Sequence, residues 1–245
     1  MKAFTDICYC EEHKQYLDIY LPECKNFSVF VYFHGGGLEC GDKANQQELY
    51  RFLADHGVAV VAANYRMYPA AHYPDFLVDC AKAVAWTIQN IGTYGNATEI
   101  YVGGSSAGGY ISQMLCFDAS WLSAHGIKPS DIAGYVHDAG QPTCHFNVLR
   151  ERGLDTKRVI IDESAPLYHI TDERSYPPML AIVSDDDMEN RYEQTMLLMS
   201  TLKHFGHTEN VTVQVMHGRH CAYVNKTDEN GDSILGKLVL ELIHK

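Results

Sequence analysis

Residues 101–110 read YVGGSSAGGY, and the reading of this stretch decides the fold. An apolar run (Ile100, Tyr101, Val102) leads into two glycines, then come Ser105, Ser106, Ala107, Gly108 and Gly109, and a helix-compatible run from Tyr110 to Cys116 follows. Strand, glycine-flanked turn and helix, in that order, is the setting in which a G-x-S-x-G motif presents a serine hydroxyl at the carboxyl edge of a sheet. The match is Gly104-Ser105-Ser106-Ala107-Gly108, which puts Ser106 at the centre and Ser105 one position off it. Glycines flank the serine for a steric reason. The turn forces it into a strained backbone conformation, and neighbouring side chains would collide with the adjoining strand and helix. The helix that follows points its N-terminus at any negative charge developing there. Three fixed residues recur by chance in a chain of this length on the order of one time in ten, so the rest of the chain has to decide.

Upstream, 15–21 alternates and stops at Pro22, as a strand with Leu17, Ile19 and Leu21 on one face. Residues 28–33 (SVFVYF) and 58–64 (VAVVAAN) are short apolar runs rich in β-formers, as buried parallel strands require. Helical spacing predicts helices over 46–56, with Gly57 to end it, and over 75–91. Downstream, strands are expected at 99–102, 132–137, 179–183 and 211–216, and helices at 106–118, 190–205 and 232–244. Strands therefore begin near residue 15, and 138–170 stands out as irregular, a candidate small lid or insertion. The alternation of β and α predicts one α/β domain over 1–245 with a mostly parallel central sheet flanked by helices.

The chain has 245 residues and a net charge of −12. The charge argues against nucleic acid or an anionic membrane surface as a partner. No run approaches transmembrane length, and the N-terminal residues MKAFTDICYCEEHK hold no apolar signal segment, so a cytoplasmic location is expected. The eight cysteines are then read as reduced thiols. Cys8, Cys10 and His13 superficially resemble metal ligands, but their spacing fits no common zinc pattern and no second pair follows, so no metal is expected. Oligomeric state is not legible.

Four polar clusters follow directly on predicted strands and so share one sheet edge, where such folds bind ligands. They are His34-Gly35-Gly36-Gly37, Ser106, Ser184-Asp185-Asp186-Asp187 and His217-Gly218-Arg219-His220. The chemistry needs each of them. A serine hydroxyl is a weak nucleophile until an imidazole takes its proton, and the imidazole needs a carboxylate to fix its tautomer. The tetrahedral intermediate needs backbone N–H donors set in advance, each of which is worth about 2.7–4 kcal/mol. Gly36, Gly37 and Ala107 are the candidate donors, with His34, Gly35, Gly104 and Gly108 supporting them. Three aspartates and two histidines compete for the remaining roles.

With those residues in view, the chain resembles the α/β-hydrolase superfamily. More closely, it is similar to the hormone-sensitive-lipase-like esterases and their small, cap-poor relatives, which include acetyl and feruloyl esterases and kynurenine formamidases. The resemblance also draws on Asn64-Tyr65-Arg66, Pro69, Pro74 and Asp79, and on Ser164-Ala165-Pro166 ahead of Pro177-Pro178. It implies an α/β-hydrolase fold with a minimal cap and a serine carboxylesterase acting on small-molecule short-chain or aromatic acyl esters, without a cofactor. An amidase of the kynurenine formamidase type, or an inactive binding protein, is the alternative. The family's turns align the acid with Asp187, ahead of Asp186 and Asp185, and the base with His220, ahead of His217. Two departures stand out: Ser105 occupies a position that is often acidic, and there is no room for a long N-terminal cap. Arg66 is expected to brace a loop, with an acidic substrate as its other reading. Some of the sixteen tyrosines, with Phe146 and Leu149, are candidates for an acyl or aromatic pocket.

Overall fold

The centre of the molecule is built from three apolar strands, β3 (Asn26–Phe33), β4 (Val58–Ala63) and β5 (Asn96–Ser105). Side chains alternate across a strand. Val29, Val31 and Phe33 of β3 therefore bury on one face, and Phe30 and Tyr32 on the other. Helices cover both faces. α2 (Asp75–Asn90), α3 (Ala107–Phe117), α4 (Ala119–Ser123) and α6 (Arg191–His204) supply the first layer, and α1 (Gln47–Asp55) and α7 (Ile234–Ile243) the second. α3 is buried along its whole length, which explains its weak amphipathic pattern in sequence. This computed structural model describes residues 1–244.

With β1 (Lys2–Cys10), β2 (Gln15–Leu21), β6 (Gly134–Asp138), β7 (Met179–Asp186) and β8 (Val211–Arg219), the sheet has eight strands in the order β1-β2-β4-β3-β5-β6-β7-β8. β1 and β2 run antiparallel to their neighbours, and all other pairs are parallel. The chain leaves β3 toward β4 on one side and returns to β5 on the other, so the strand order switches between β3 and β5. A crevice opens at the carboxyl ends of strands at such a point. His34 and Ser106 are the residues immediately after these two strands.

Strands begin at Lys2 and not near residue 15, which corrects the sequence reading. β1 is an edge strand whose outer residues are exposed, and two register shifts break its alternation. At the first of these, Asp6 takes a positive φ and donates its N–H to Asp18. The irregular 138–170 stretch holds the last residue of β6, the short helix α5 (Phe146–Glu151) and a single helical turn at Pro166–His169. Its first part is largely buried, residues 152–159 are exposed, and residues 164–167 are buried again, where Tyr110 of α3 donates to the Ser164 carbonyl at 2.7 Å. Among the described residues no helix is long and apolar enough to cross a membrane.

Candidate active site

Ser106 sits on the one-residue turn between β5 and α3 with φ 58° and ψ −112°. A non-glycine residue held there costs about 1–3 kcal/mol, which the surroundings must supply. They do so by close approach. A β-carbon on Gly104 would lie 2.4 Å from the Phe33 carbonyl oxygen, and one on Gly108 would lie 1.9 Å from the same atom. The Ser106 N–H donates to the Asp138 carbonyl at 2.7 Å, pinning the turn to the end of β6.

The ends of β7 and β8 bring Asp187 and His220 to this serine. With its proton on Nδ1, His220 donates to Asp187 Oδ1 at 2.5 Å, and its bare Nε2 accepts the Ser106 hydroxyl at 2.8 Å. The Asp187 side chain is fully buried. Burial alone would raise its carboxyl. The hydrogen bond and charge of His220, with N–H groups from Met188 and Ser184, outweigh that and hold it below the usual carboxylate range. A carboxylate kept ionised against the imidazole fixes the tautomer that leaves Nε2 free to take a proton.

The loop after β3 turns its backbone toward the same place. Gly36 (φ +117°) and Gly37 (φ +64°) adopt conformations that favour glycine, and a β-carbon on Gly36 would lie 1.9 Å from the Cys40 carbonyl oxygen. The N–H groups of Gly36, Gly37 and Ala107 meet no protein acceptor among the described residues. The Gly36 carbonyl accepts from Glu39 and Cys40, and the Gly37 carbonyl from Asn147, which tie the loop down from behind. His34 is buried, stacks on Tyr65 with centroids 4.5 Å apart, and holds the Gly35 carbonyl through Nδ1 at 2.7 Å. Gly35 packs directly on the elbow, with Ser106 Cβ 3.2 Å from where its own β-carbon would lie.

Beneath Ser106 lies a buried polar network that sequence reasoning missed. Tyr32 donates to Ser105 Oγ at 2.9 Å, and Ser105 and Tyr223 each donate to the Asp138 carboxylate through short hydrogen bonds. Burial raises Asp138 to about 6, against the opposing effect of these hydrogen bonds. The sequence shows Asp138 only as the residue after an apolar strand, and its partners lie 33 and 85 positions away. Cys221 was missed as well. It has a positive φ of 53°, its Sγ lies 3.7 Å from His220 Nε2, and burial pushes its thiol well above the ordinary cysteine range.

The other members of each cluster stand elsewhere. Asp185 accepts from His217 at 2.7 Å on the surface, away from Ser106. Asp186 is exposed and pairs in register with Arg219. Arg66 is engaged by Asp79 through two 2.8 Å hydrogen bonds and by Asp75, so it is not available to a substrate. The cleft at Ser106 has a volume of about 590 Å³, with Phe146, Met188 and Val224 as its apolar wall. No tyrosine lines it among the described residues, and Leu149 packs inward with Cys144 and Ala165. Phe146 thus lines the cleft as expected, whereas the expectation fails for the tyrosines and Leu149, because helical and strand spacing do not distinguish a cleft wall from a core. Among the described residues no group of His, Cys, Asp and Glu is arranged to hold a metal.

Residues 75–233, more than half of the chain, match the prolyl oligopeptidase family. The chain belongs to that family. Residues 17–126 also match the family described as BD-FAE. The prolyl oligopeptidase match runs from α2 through the elbow to the loop after His220, so it spans the whole serine–histidine–aspartate cluster. Among curated proteins, the probable isoprenylcysteine alpha-carbonyl methylesterase of Oryza sativa subsp. japonica is 30% identical over 132 residues, covering 53% of this chain and 32% of that one. Lipase 2 of Moraxella sp. (strain TA144) is 27% identical over 197 residues, covering 78% and 43%. The chain thus spans less than half the length of these relatives. Among solved structures, esterase B from Lactobacillus Rhamnosis (HN001) superposes with a TM-score of 0.81 at 17% identity, covering 99% of this chain and 85% of that one. That likeness establishes the α/β-hydrolase fold.

Proposed function

We propose that this member of the prolyl oligopeptidase family is a serine carboxylic-ester hydrolase acting on small-molecule esters with short-chain or aromatic acyl groups. The observation that carries the reading is the unbroken hydrogen-bonded line from Ser106 Oγ through both nitrogens of His220 to the buried Asp187. His220 Nε2 takes the Ser106 proton as Oγ attacks the ester carbonyl. The carbonyl oxygen, now an anion, is held by the N–H groups of Gly36, Gly37 and Ala107. The imidazolium, stabilised by Asp187, then protonates the departing alcohol. Water, deprotonated by the same His220, releases the acid and restores Ser106. A methylesterase and a lipase among the curated relatives support ester over amide as the bond cleaved.

In the same reading the chain is one α/β-hydrolase domain, with 138–170 as a small cap beside the oxyanion loop. The eight free cysteines fit the reducing conditions of the cytoplasm. The test is a panel of 4-nitrophenyl esters from acetyl to decanoyl, with acetylated sugars, methyl ferulate, N-formylkynurenine and a proline-containing peptide amide. Turnover concentrated in the short or aromatic esters is expected. A preference for long chains, for N-formylkynurenine or for the peptide would overturn the substrate assignment.

A further inference from the structure

A second cleft, of about 240 Å³, adjoins the one at Ser106 and shares Phe146 and Met188 with it. Its floor includes Arg191, the first residue of α6, which is only 4% exposed. The guanidinium donates to the Ala139 carbonyl and, at 3.3 Å, to Gln141 Oε1. Among the described residues no carboxylate lies within 4.0 Å of it. The arginines that do pair with carboxylates among the described residues are Arg51, Arg66, Arg150 and Arg152, and each of these is more exposed than Arg191. A buried charge without a counter-charge is unfavourable by several kcal/mol unless something else compensates it. Burial accordingly pulls Arg191 below the ordinary arginine value, partly offset by the charge of Asp187.

Two more cations stand on the wall of this cleft. Lys157 and Arg158 are exposed, and neither side chain is paired with a carboxylate among the described residues. Among the described residues, the only acidic one on the wall is Glu189, itself exposed. The lining is therefore net positive in a protein whose net charge is −12. The first turn of α6, a 14-residue helix, adds the positive end of its dipole.

We propose that the Arg191 cleft receives a carboxylate carried on one arm of the ester that Ser106 attacks. This rests on the ester-hydrolase reading above. Arg191 supplies a fixed guanidinium at the floor, and Lys157 and Arg158 draw the anion in against the repulsion of an acidic surface. Phe146 and Met188 separate that anion from the scissile carbonyl, so the two are joined by a short apolar linker.

Two pairs of esters test this. The 4-nitrophenyl monoester of glutarate against 4-nitrophenyl valerate probes the acyl arm. The acetyl ester of 4-hydroxybenzoate against its methyl ester probes the alcohol arm. In one of these pairs, the ratio of kcat/KM for the anionic to the neutral ester should be about tenfold higher in the wild type than in Arg191→Gln. It should be about threefold higher than in Lys157→Ala/Arg158→Ala and should shrink with added salt. Equal ratios in all three proteins, insensitive to salt, would overturn the proposal. The rim variant and the salt series decide it if Arg191→Gln does not fold. If no ester turns over at all, the hydrolase reading fails instead. The cleft is then judged by binding: monomethyl glutarate should raise the melting temperature of Ser106→Ala more than dimethyl glutarate does, and equal shifts would refute the anion site.

Discussion

Two aspartate–histidine pairs bridge the ends of β7 and β8, and they differ in almost everything but their residue types. Asp185 and His217 meet at 2.7 Å on the surface, where the histidine side chain is 97% exposed. Asp187 and His220 meet at 2.5 Å with the carboxylate fully buried and the histidine side chain 22% exposed. The outer pair raises the His217 imidazole, chiefly through the hydrogen bond to Asp185, but its far nitrogen faces water. The inner pair has a serine hydroxyl on its far nitrogen. The contrast teaches that an aspartate–histidine contact is not in itself catalytic machinery. In the proposed mechanism, burial of the acid and a serine hydroxyl at the other end of the ring set the inner pair apart.

Substitutions at matched positions can break this comparison. His220→Ala should lower kcat by about 10⁵–10⁶-fold in a steady-state ester assay, while His217→Ala should change it by less than about twofold. A large loss from His217→Ala would mean that the outer pair takes part. Asp187→Asn should cost about 10⁴-fold by destroying the tautomer control, and Asp185→Asn should leave turnover intact. Gly36→Ala should cost about 10²–10³-fold in kcat by displacing an oxyanion donor, because its β-carbon would collide with the Cys40 carbonyl oxygen. Circular dichroism separates that effect from misfolding.

The smallest expected effect sharpens the role of burial. Asp138 lies under the elbow, and its carboxyl is raised to about 6 from an ordinary value of 3.8. A carboxyl raised in the folded state binds its proton more tightly there than when unfolded. Its contribution to stability is therefore fully present below about pH 4 and is lost as pH rises through 6. That amounts to about 3 kcal/mol. Asp187 is lowered and acts in the opposite sense, its contribution being present above the ordinary carboxylate value and lost in acid. Urea unfolding at a series of pH values should show the loss between pH 4 and 7 in the wild type, and its absence in Asp138→Asn. An unchanged profile in the variant would show that Asp138 does not titrate there.

Much of this was legible in the sequence because the informative features are local. Apolar runs such as VAVVAA and the glycines around Ser106 report a buried strand and a tight turn through nearest-neighbour sterics. The order of serine, acid and base follows from which strand each residue ends. β1 was missed because it is half-exposed and bulged, so neither burial nor alternation marks it. The Asp138 network and Arg191 were missed for another reason. What distinguishes them is a partner far along the chain, or the lack of one, and neither leaves a periodic trace. Arg66 was expected to brace a loop and is held there by Asp79 and Asp75, whereas Arg191 was overlooked inside a helical repeat.

Covalent labelling tests the central assignment most directly. A fluorophosphonate should add once per chain, with the adduct mapped to Ser106 by peptide mass spectrometry. Labelling should vanish in Ser106→Ala, slow by orders of magnitude in His220→Ala and proceed at the wild-type rate in His217→Ala. Equal labelling of a folded Ser106→Ala variant, or none of the wild-type protein, would contradict the assignment of Ser106 as the nucleophile.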